Sequence, residues 1–328
     1  MTPVPVWRVV LDGEDLTARI APRLIDLSLT EDRGGEADQL DLRIHDHDGK
    51  MSLPRRGVTL TVAIGWKDSG LVEKGTFEVD EVEYSGSPDV ITIRARSANL
   101  TQSLRNRRER SWHATKLGAV IRGIAGEHGL TARVASSLAG IALPHLDQAN
   151  ESDANLLTRL SKRFDATATV KNGTLIFSPI GTGKTASGKE LPTLTLTRRD
   201  GDQHRYSVAD RDAYSGVRAY WNDKKGARRK SMLVGKDDNA KALRETYDSE
   251  KSAREHANAE FKRVQRGEAK FDYTLALGRA DLSPEMIVQV QGFKPEIDGK
   301  RWLVSKATHT LNGSGGFSSA LEFESALY

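Results

Sequence analysis

Residues 151–189 read ESDANLLTRLSKRFDATATVKNGTLIFSPIGTGKTASGK and contain a helix signal followed by a hairpin signal. Behind a candidate N-cap at Asp153, apolar residues recur at helical spacing: Leu156, Leu157, Leu160 and Phe164. Two short β-type runs follow at 167–170 and 174–177. They are joined by Asn172-Gly173, the pair preferred in two-residue hairpin turns. The stretch therefore predicts a helix packed beside a β-hairpin.

The end of this stretch resembles a phosphate-binding loop without its essential parts. The GKT tripeptide at 183–185 matches the final positions, whereas Ser178 stands where the first glycine is required. The residues after the tripeptide include Gly188 and Pro192, which oppose the helix whose N-terminal amides would bind phosphates. We therefore predict an exposed connector over 181–204, and a degenerate P-loop NTPase stays an alternative.

The N-terminal third is predicted to be β-rich, because apolar and polar residues alternate with a period of two. The alternating runs are residues 40–44, 60–64, 77–79 and 91–95. They predict a small antiparallel barrel or sandwich as a first β-barrel domain over residues 1–108.

The pattern turns helical in the middle of the chain and returns to β in the second half. Helical spacing links Leu117, Val120, Ile121 and Ile124. With the helix and hairpin described above, it predicts an α+β module at 109–180. Further strands are predicted at residues 214–221, 229–234, 271–277, 286–290, 302–307 and 321–323, with a helix at about 249–266 between them. This region, residues 205–328, is predicted to be a second β-barrel domain with an inserted helix.

The two β regions share a weak internal repeat. A strand ends at Gly65-Trp66, a second begins after Gly75, and a glycine turn leads to a third at 91–95. The same order recurs at Gly292-Phe293, after Gly299, and beyond the glycines at 313–316. We interpret the repeat as two copies of one barrel type, with coincidence among glycine-punctuated strands as the alternative.

The composition indicates a protein that neither enters a membrane nor carries a broad cationic surface. The net charge is +4, from 49 basic and 45 acidic residues, so both signs are densely mixed. The absence of cysteine excludes disulfides and thiolate metal sites. No apolar run approaches the roughly 20 residues that cross a bilayer, so we expect no membrane insertion by this chain.

One local basic segment is a candidate partner interface. It consists of Arg105, Arg107, Arg108 and Arg110 beside Trp112. Such a run could contact an acidic partner or phosphates, whereas many charge runs are solvated linkers. A nucleic-acid-binding β module that uses residues 105–112 therefore stays an alternative.

The sequence offers no convincing catalytic or metal site. His45-Asp46-His47-Asp48-Gly49 fails as a calcium loop and supplies only two histidines for zinc, so we predict a polar turn. There is no nucleophile elbow and no cysteine nucleophile. We therefore expect no enzyme activity and no cofactor.

An ordered succession of short segments resembles a known family. The segments are Asp38-Gln-Leu with Asp46 and Gly49, Pro54-Arg-Arg-Gly57, Ile64-Gly65, Gly75-Thr-Phe-Glu-Val-Asp80, Arg110-Ser-Trp112, Ile124-Ala125, Gly129-Leu130, Glu151-Ser-Asp153, Gly173-Thr-Leu-Ile-Phe177 and residues 181–188. Their order resembles the phage late control gene D protein family. These are baseplate hub proteins of contractile-tailed phages and tailocins, related to the hub portion of VgrG in contractile injection systems.

The resemblance implies an α+β, mainly β fold with two small antiparallel β-barrel domains and an intervening α+β module, assembling as a ring. It implies a homotrimer that adapts the sixfold tail tube to the threefold central spike. The implied partners are the central spike protein, the tail tube or tube initiator, other baseplate proteins and the tape measure protein. The implied location is the virion or tailocin particle baseplate, with the bacterial host cytoplasm during assembly.

Overall fold

Most of the chain is β-strand. The computed structural model describes residues 3–34, 37–97, 102–208, 214–223, 226–314 and 316–327. The strands are β1 (Pro5–Leu11), β2 (Glu14–Asp15), β3 (Leu24–Asp32), β4 (Gln39–His45), β5 (Thr59–Trp66), β6 (Gly70–Ser85), β7 (Val90–Ser97), β8 (Arg107–Lys116), β9 (Thr131–Val134), β10 (Ala142–Ser152), β11 (Ala166–Lys171), β12 (Thr174–Pro179), β13 (Leu194–Thr197), β14 (Gly201–Val208), β15 (Gly216–Asp223), β16 (Arg228–Gly235), β17 (Ala240–Tyr247), β18 (Ala269–Leu275), β19 (Ile287–Gln291), β20 (Arg301–Asn312) and β21 (Phe317–Ser325).

Six α-helices are described, and three of them exceed one turn. They are α1 (Thr17–Ile20), α2 (Leu117–Glu127), α3 (Ser136–Ala139), α4 (Asp153–Phe164), α5 (Glu250–Gly267) and α6 (Pro295–Asp298), with 3₁₀ turns at Ala21–Arg23 and Gln102–Arg105. None of the helices in the described ranges has the length and apolar character needed to span a bilayer.

The two ends of the chain build two sheet halves with the same strand order. The N-terminal half runs β3-β4-β7-β6-β5-β1, and the C-terminal half runs β14-β18-β21-β20-β19-β13. Equivalent strands also follow one another in the same order along the chain: β1, β3, β4, β5, β6 and β7 correspond to β13, β14, β18, β19, β20 and β21, respectively. The pairings match as antiparallel, except that β19 and β13 are parallel whereas β5 and β1 are antiparallel. The strands that carry the sequence repeat, β5 to β7 and β19 to β21, thus occupy equivalent positions.

A direct strand pairing joins the two halves into one 13-stranded sheet. Strand β3 pairs antiparallel with β20 over seven residue pairs, from Lys306↔Asp32 to Asn312↔Asp26. Each half has its own apolar core, and the N-terminal core also takes in Leu311 and Phe317 from the C-terminal strands. No local sequence signal predicts this long-range pairing, because β3 and β20 lie at opposite ends of the chain.

The middle of the chain contains helices and small sheets around a separate core. Strands β8 and β10 pair antiparallel, and β9, β12 and β11 form a second small sheet against α2 and α4. The hairpin predicted at Asn172-Gly173 is confirmed, because both residues have positive φ and Lys171 pairs with Thr174. The helices predicted at 117–124 and behind Asp153 are also confirmed.

The N-cap of α4 is Ser152 and not Asp153. The Ser152 backbone is extended, and its Oγ accepts a 3.2 Å hydrogen bond from Asn155 N. Asp153 is the first helical residue, and its carboxylate is turned toward a cluster of basic and amide side chains. The prediction of the cap at Asp153 was wrong by one residue, since serine and aspartate are both strong capping residues.

A third unit is inserted between β14 and β18. Strands β16, β15 and β17 form a small sheet, and α5 covers it with Ala253 and Ala257. The predicted helix at about 249–266 is confirmed as α5. Strand β18, which was expected to run to residue 277, ends at Leu275, and Leu277 is exposed.

The segment that was predicted to be an exposed connector is partly built into the fold. Gly181 is buried, and its N–H donates to Glu285 Oε2 at 2.7 Å. Strand β13 and the start of β14 also lie within 181–204, and the β13 residue Leu196 is buried. The exposed part is the turn around Ser187 to Glu190. Sequence reasoning missed β13 because a strand of four residues gives little periodic signal.

Candidate functional site

The basic segment lies on β8 and is split between the two faces of that strand. Alternation along the strand makes Arg107 exposed and leaves Arg108, Arg110 and Trp112 partly buried. Arg105 is exposed and precedes β8, at the end of a 3₁₀ turn. The five predicted residues are therefore neighbours in the chain but do not share one surface.

Arg108 and Arg110 are used inside the module. Arg110 Nη1 donates to both Glu127 oxygens at 2.6 and 2.7 Å, and its Nε donates to Gln148 Oε1 at 2.7 Å. Arg110 Nη2 and Arg108 Nη1 also bind Asp153 and Glu127, respectively. The Arg110 guanidinium lies 4.5 Å from the centroid of the Trp112 ring.

Asp153 is the anionic centre of this arrangement. Its side chain is fully buried, and its carboxylate contacts His128 Nε2 at 2.8 Å and accepts from Gln148 Nε2 at 2.9 Å. Burial acts to raise the pKa of Asp153, but the contacts with His128, Gln148 and the two arginines together lower it. The Asp153 carboxylate therefore offsets much of the positive charge that the sequence analysis assigned to a partner interface. Arg105 and Arg107 are the cations of the segment that face solvent.

A buried charge cluster joins the α+β module, the insertion and the sheet. Arg266, at the end of α5, binds both oxygens of Asp165 through its two terminal nitrogens, one at 2.8 Å. Its Nε lies 3.3 Å from Glu324 on β21. Arg33, which follows β3, also binds Glu324, and its Nε contacts Glu285 at 2.7 Å. Burial raises the pKa of Glu285.

A second buried cluster lies where β3, β6 and β20 approach the hairpin of the module. Lys74 Nζ donates to Glu31 Oε2 at 2.5 Å and lies 3.2 Å from His309 Nε2. Lys171 Nζ lies 3.8 Å from Glu31 and 3.1 Å from Asp38. Burial acts to raise the pKa of Glu31, but His309 and the two lysines lower it to about 2. Burial lowers the pKa of His309, which is fully enclosed.

Sequence reasoning missed both clusters, although one signal was present. Glu31 follows Leu27 and Leu29 on the inward face of β3, and His309 lies between Ala307 and Leu311 on the inward face of β20. A polar residue at an inward position of an alternating strand indicates a buried partner. The identity of that partner depends on long-range pairing and could not be read from the pattern.

The structure explains the failure of the phosphate-loop motif. After Thr185 the chain turns back instead of entering a helix, because Thr185 N donates to Lys189 O at 2.8 Å and Gly188 N donates to Thr185 O at 2.9 Å. Lys184 Nζ lies 3.7 Å from Glu190. The prediction that no helix follows this tripeptide is confirmed, because the next element along the described chain is strand β13.

The histidine-rich turn is held by its aspartates. Asp46 is buried and accepts from Met51 N at 3.0 Å, while Asp48 accepts two 2.7 Å hydrogen bonds from Arg23. His45 and His47 are exposed. Among the residues that the structure describes, no group of three or more His, Asp or Glu side chains has the arrangement of a metal site.

The fold is shared with tail proteins of known structure. A 43 kDa tail protein of prophage MuSo2 from Shewanella oneidensis superimposes with a TM-score of 0.72 at 15% identity, covering 97% of this chain and 98% of that one. A tail protein from Neisseria meningitidis gives a TM-score of 0.71 at 14% identity, covering 97% and 96%. The architecture therefore defines a phage tail protein fold.

Sequence similarity identifies the family within that fold. The model of the family "Phage tail baseplate hub (GPD)" matches residues 39–315. Probable baseplate hub proteins of Escherichia phages 186 and P2 are each 45% identical and cover 98% of this chain, with 92% and 94% of their own lengths matched. The chain belongs to the phage tail baseplate hub family, as its ordered segments predicted.

Proposed function

We propose that this baseplate hub acts as a homotrimeric symmetry adaptor between a sixfold tail tube and a threefold central spike. The observation that supports the proposal is the repeated strand order of the two sheet halves. Three chains with two similar halves each present six similar surfaces around a ring. The same ring keeps true threefold symmetry, because the halves differ in their inserted units. Such a ring closes through head-to-tail contacts between chains.

The proposal treats each half as a barrel-type domain. The first domain is residues 1–108, and the second is residues 205–328 together with β13 and the start of β14, which the predicted boundary left in the connector at 181–204; the module at 109–180 lies between them. The separate apolar cores support this division, since each half has enough buried residues for its own core. The β3–β20 pairing then fixes the relative orientation of the two halves within one chain. A fixed orientation is what a pseudo-sixfold ring requires.

The proposed partners follow from this position. They are the central spike protein, the tail tube or tube initiator, the tape measure protein and other baseplate proteins. Arg105 and Arg107 are proposed to contact an acidic partner surface, because they are the solvent-facing cations of the basic segment. The particle is a phage virion or a tailocin, and assembly takes place in the host cytoplasm. The role is structural and uses no catalytic group.

The mass in solution tests this proposal. The purified protein is measured by light scattering after size exclusion, alone and mixed with the spike protein. A trimer has a mass of about 108 kDa, three times the chain mass of 36.1 kDa. We expect that mass alone or in a complex with the spike, because a partner can supply the binding energy that closes a ring. A monomer in both samples, with no complex, contradicts the proposal.

A further inference from the structure

Two histidines face each other on the outer side of the two-stranded β8–β10 sheet. His113 and His145 are direct cross-strand partners, and their Nδ1 atoms lie 3.1 Å apart. His113 is exposed, and the His145 side chain is half exposed. The neighbouring pair, Trp112 and Leu146, packs inward against the module core. The backbone beneath the two imidazoles is therefore held in place by buried side chains.

An aspartate orients one of the rings. His145 Nε2 lies 2.6 Å from Asp147 Oδ2, and Ser111 Oγ donates to Asp147 Oδ1 at 2.5 Å. Asp147 therefore contacts the His145 ring at Nε2, which leaves Nδ1 as the ring nitrogen that faces His113.

The distance between the nitrogens fits a shared metal ion. Two nitrogens bound to one ion at about 2.0–2.1 Å lie about 2.9 Å apart at a right angle and about 3.3 Å apart at the tetrahedral angle. The observed separation of 3.1 Å lies between these values.

The ring centroids lie closer together than a straight hydrogen bond would place them. At this nitrogen separation, a linear N–H···N bond places the ring centroids about 5.4 Å apart, whereas rings that point at one ion place them about 4.8 Å apart. The centroids of His113 and His145 are 4.7 Å apart, with 37° between the planes. The two rings are therefore inclined to each other rather than collinear, and their separation fits two Nδ1 atoms that share one ion.

We propose that His113 and His145 form a binding site for a divalent late transition metal ion such as Zn²⁺, Ni²⁺ or Cu²⁺. The two Nδ1 atoms supply the ligands, and Asp147 holds the His145 ring and tautomer from the far side, as carboxylates do behind metal-bound histidines. Imidazole ligands select these ions over Mg²⁺ and Ca²⁺. Water or a side chain of an adjoining protein completes the coordination.

Zinc titration of the purified chain tests the site. We expect saturable binding of ZnCl₂ in isothermal titration calorimetry and no binding of MgCl₂. His113→Gln and His145→Gln each abolish the saturable binding, since each removes one of two ligands. Asp147→Asn weakens it by about 10–100-fold while both ligands stay in place. Circular dichroism spectra verify that the variants are folded.

The matched control uses the other exposed histidine pair. The double variant His45→Gln/His47→Gln removes two exposed histidines and leaves the β8–β10 sheet intact, so it binds zinc with unchanged affinity. Three results overturn the proposal: no saturable binding by the unaltered protein, binding that survives in both single variants of the site, or binding lost in the control. An unchanged affinity in Asp147→Asn overturns the assignment of that residue.

Discussion

Removal of the Arg266 guanidinium tests whether the buried charge cluster holds the units together. The Arg266 and Asp165 side chains are 3% and 5% exposed. In Arg266→Met the flexible apolar side chain replaces the aliphatic stem, but the Asp165 carboxylate loses both of its terminal-nitrogen donors. Leaving one member of a buried ion pair without its partner costs about 3–5 kcal/mol. We expect the free energy of unfolding to fall by that amount.

Urea unfolding followed by circular dichroism measures the change, and amide hydrogen exchange along α5 locates it. Arg254→Met is the matched control, because Arg254 lies on the same helix, is 58% exposed and pairs with Glu250 one turn away. Its cost is expected to stay below about 0.5 kcal/mol.

A double-mutant cycle provides the decisive comparison. Asp165→Asn keeps the side-chain size and tolerates the left-handed backbone at this position, where φ is 50°. Because the two side chains form one pair, the cost of the double variant should be well below the summed single costs. The reasoning is refuted if the two single-variant costs add to the double-variant cost within about 0.5 kcal/mol. It is also refuted if Arg266→Met costs less than about 1 kcal/mol, which is the range of an exposed surface pair.

Three further predictions concern the other features. The Glu31 pKa is about 2, below its ordinary 4.5, so its stabilising contribution of about 3 kcal/mol is present above pH 4.5 and is lost as the pH falls toward 2. In urea unfolding, Glu31→Gln should therefore lose less stability than the unaltered protein between about pH 7 and about pH 3. An unchanged pH dependence of stability in this variant contradicts the prediction. Gly173→Ala should destabilise the protein by about 1 kcal/mol, because φ is +69° at this position. Gly123→Ala, on the exposed face of α2, should instead stabilise the protein by about 0.5–1 kcal/mol. Thermal unfolding of both variants checks the two signs. Lys184→Ala should leave assembly and particle activity unchanged, since its loop lacks a phosphate cradle, and loss of infectivity or killing with normal assembly would revive the NTPase alternative.

The sequence predicts most strands and helices whose apolar faces are regular. Leu40, Leu42 and Ile44 alternate on β4 as expected, and the Asn172-Gly173 turn lies where its chemistry requires. These signals succeed because they depend on neighbours within a few residues. Strand β17 and strand β14 gave no prediction, because most of their side chains are exposed or half-buried and carry no clear period.

The candidate site was less predictable than the fold. The basic run was visible in the sequence, but Glu127 and Asp153, which bind Arg108 and Arg110, come from other elements. Charge in a sequence shows which side chains need partners and does not show whether those partners lie in the same chain. Only the three-dimensional arrangement separates Arg107, which faces solvent, from its partly buried neighbours Arg108 and Arg110.

The β3–β20 pairing gives the hub a preferred direction of mechanical strength. Hydrogen bonds between antiparallel strands run perpendicular to the strands. A load applied along β3 and β20 in opposite senses therefore strains all seven residue pairs of this junction at once. A load that separates the strands from one end breaks the pairs one after another and needs less force. The chain therefore best resists forces that are directed parallel to these two strands.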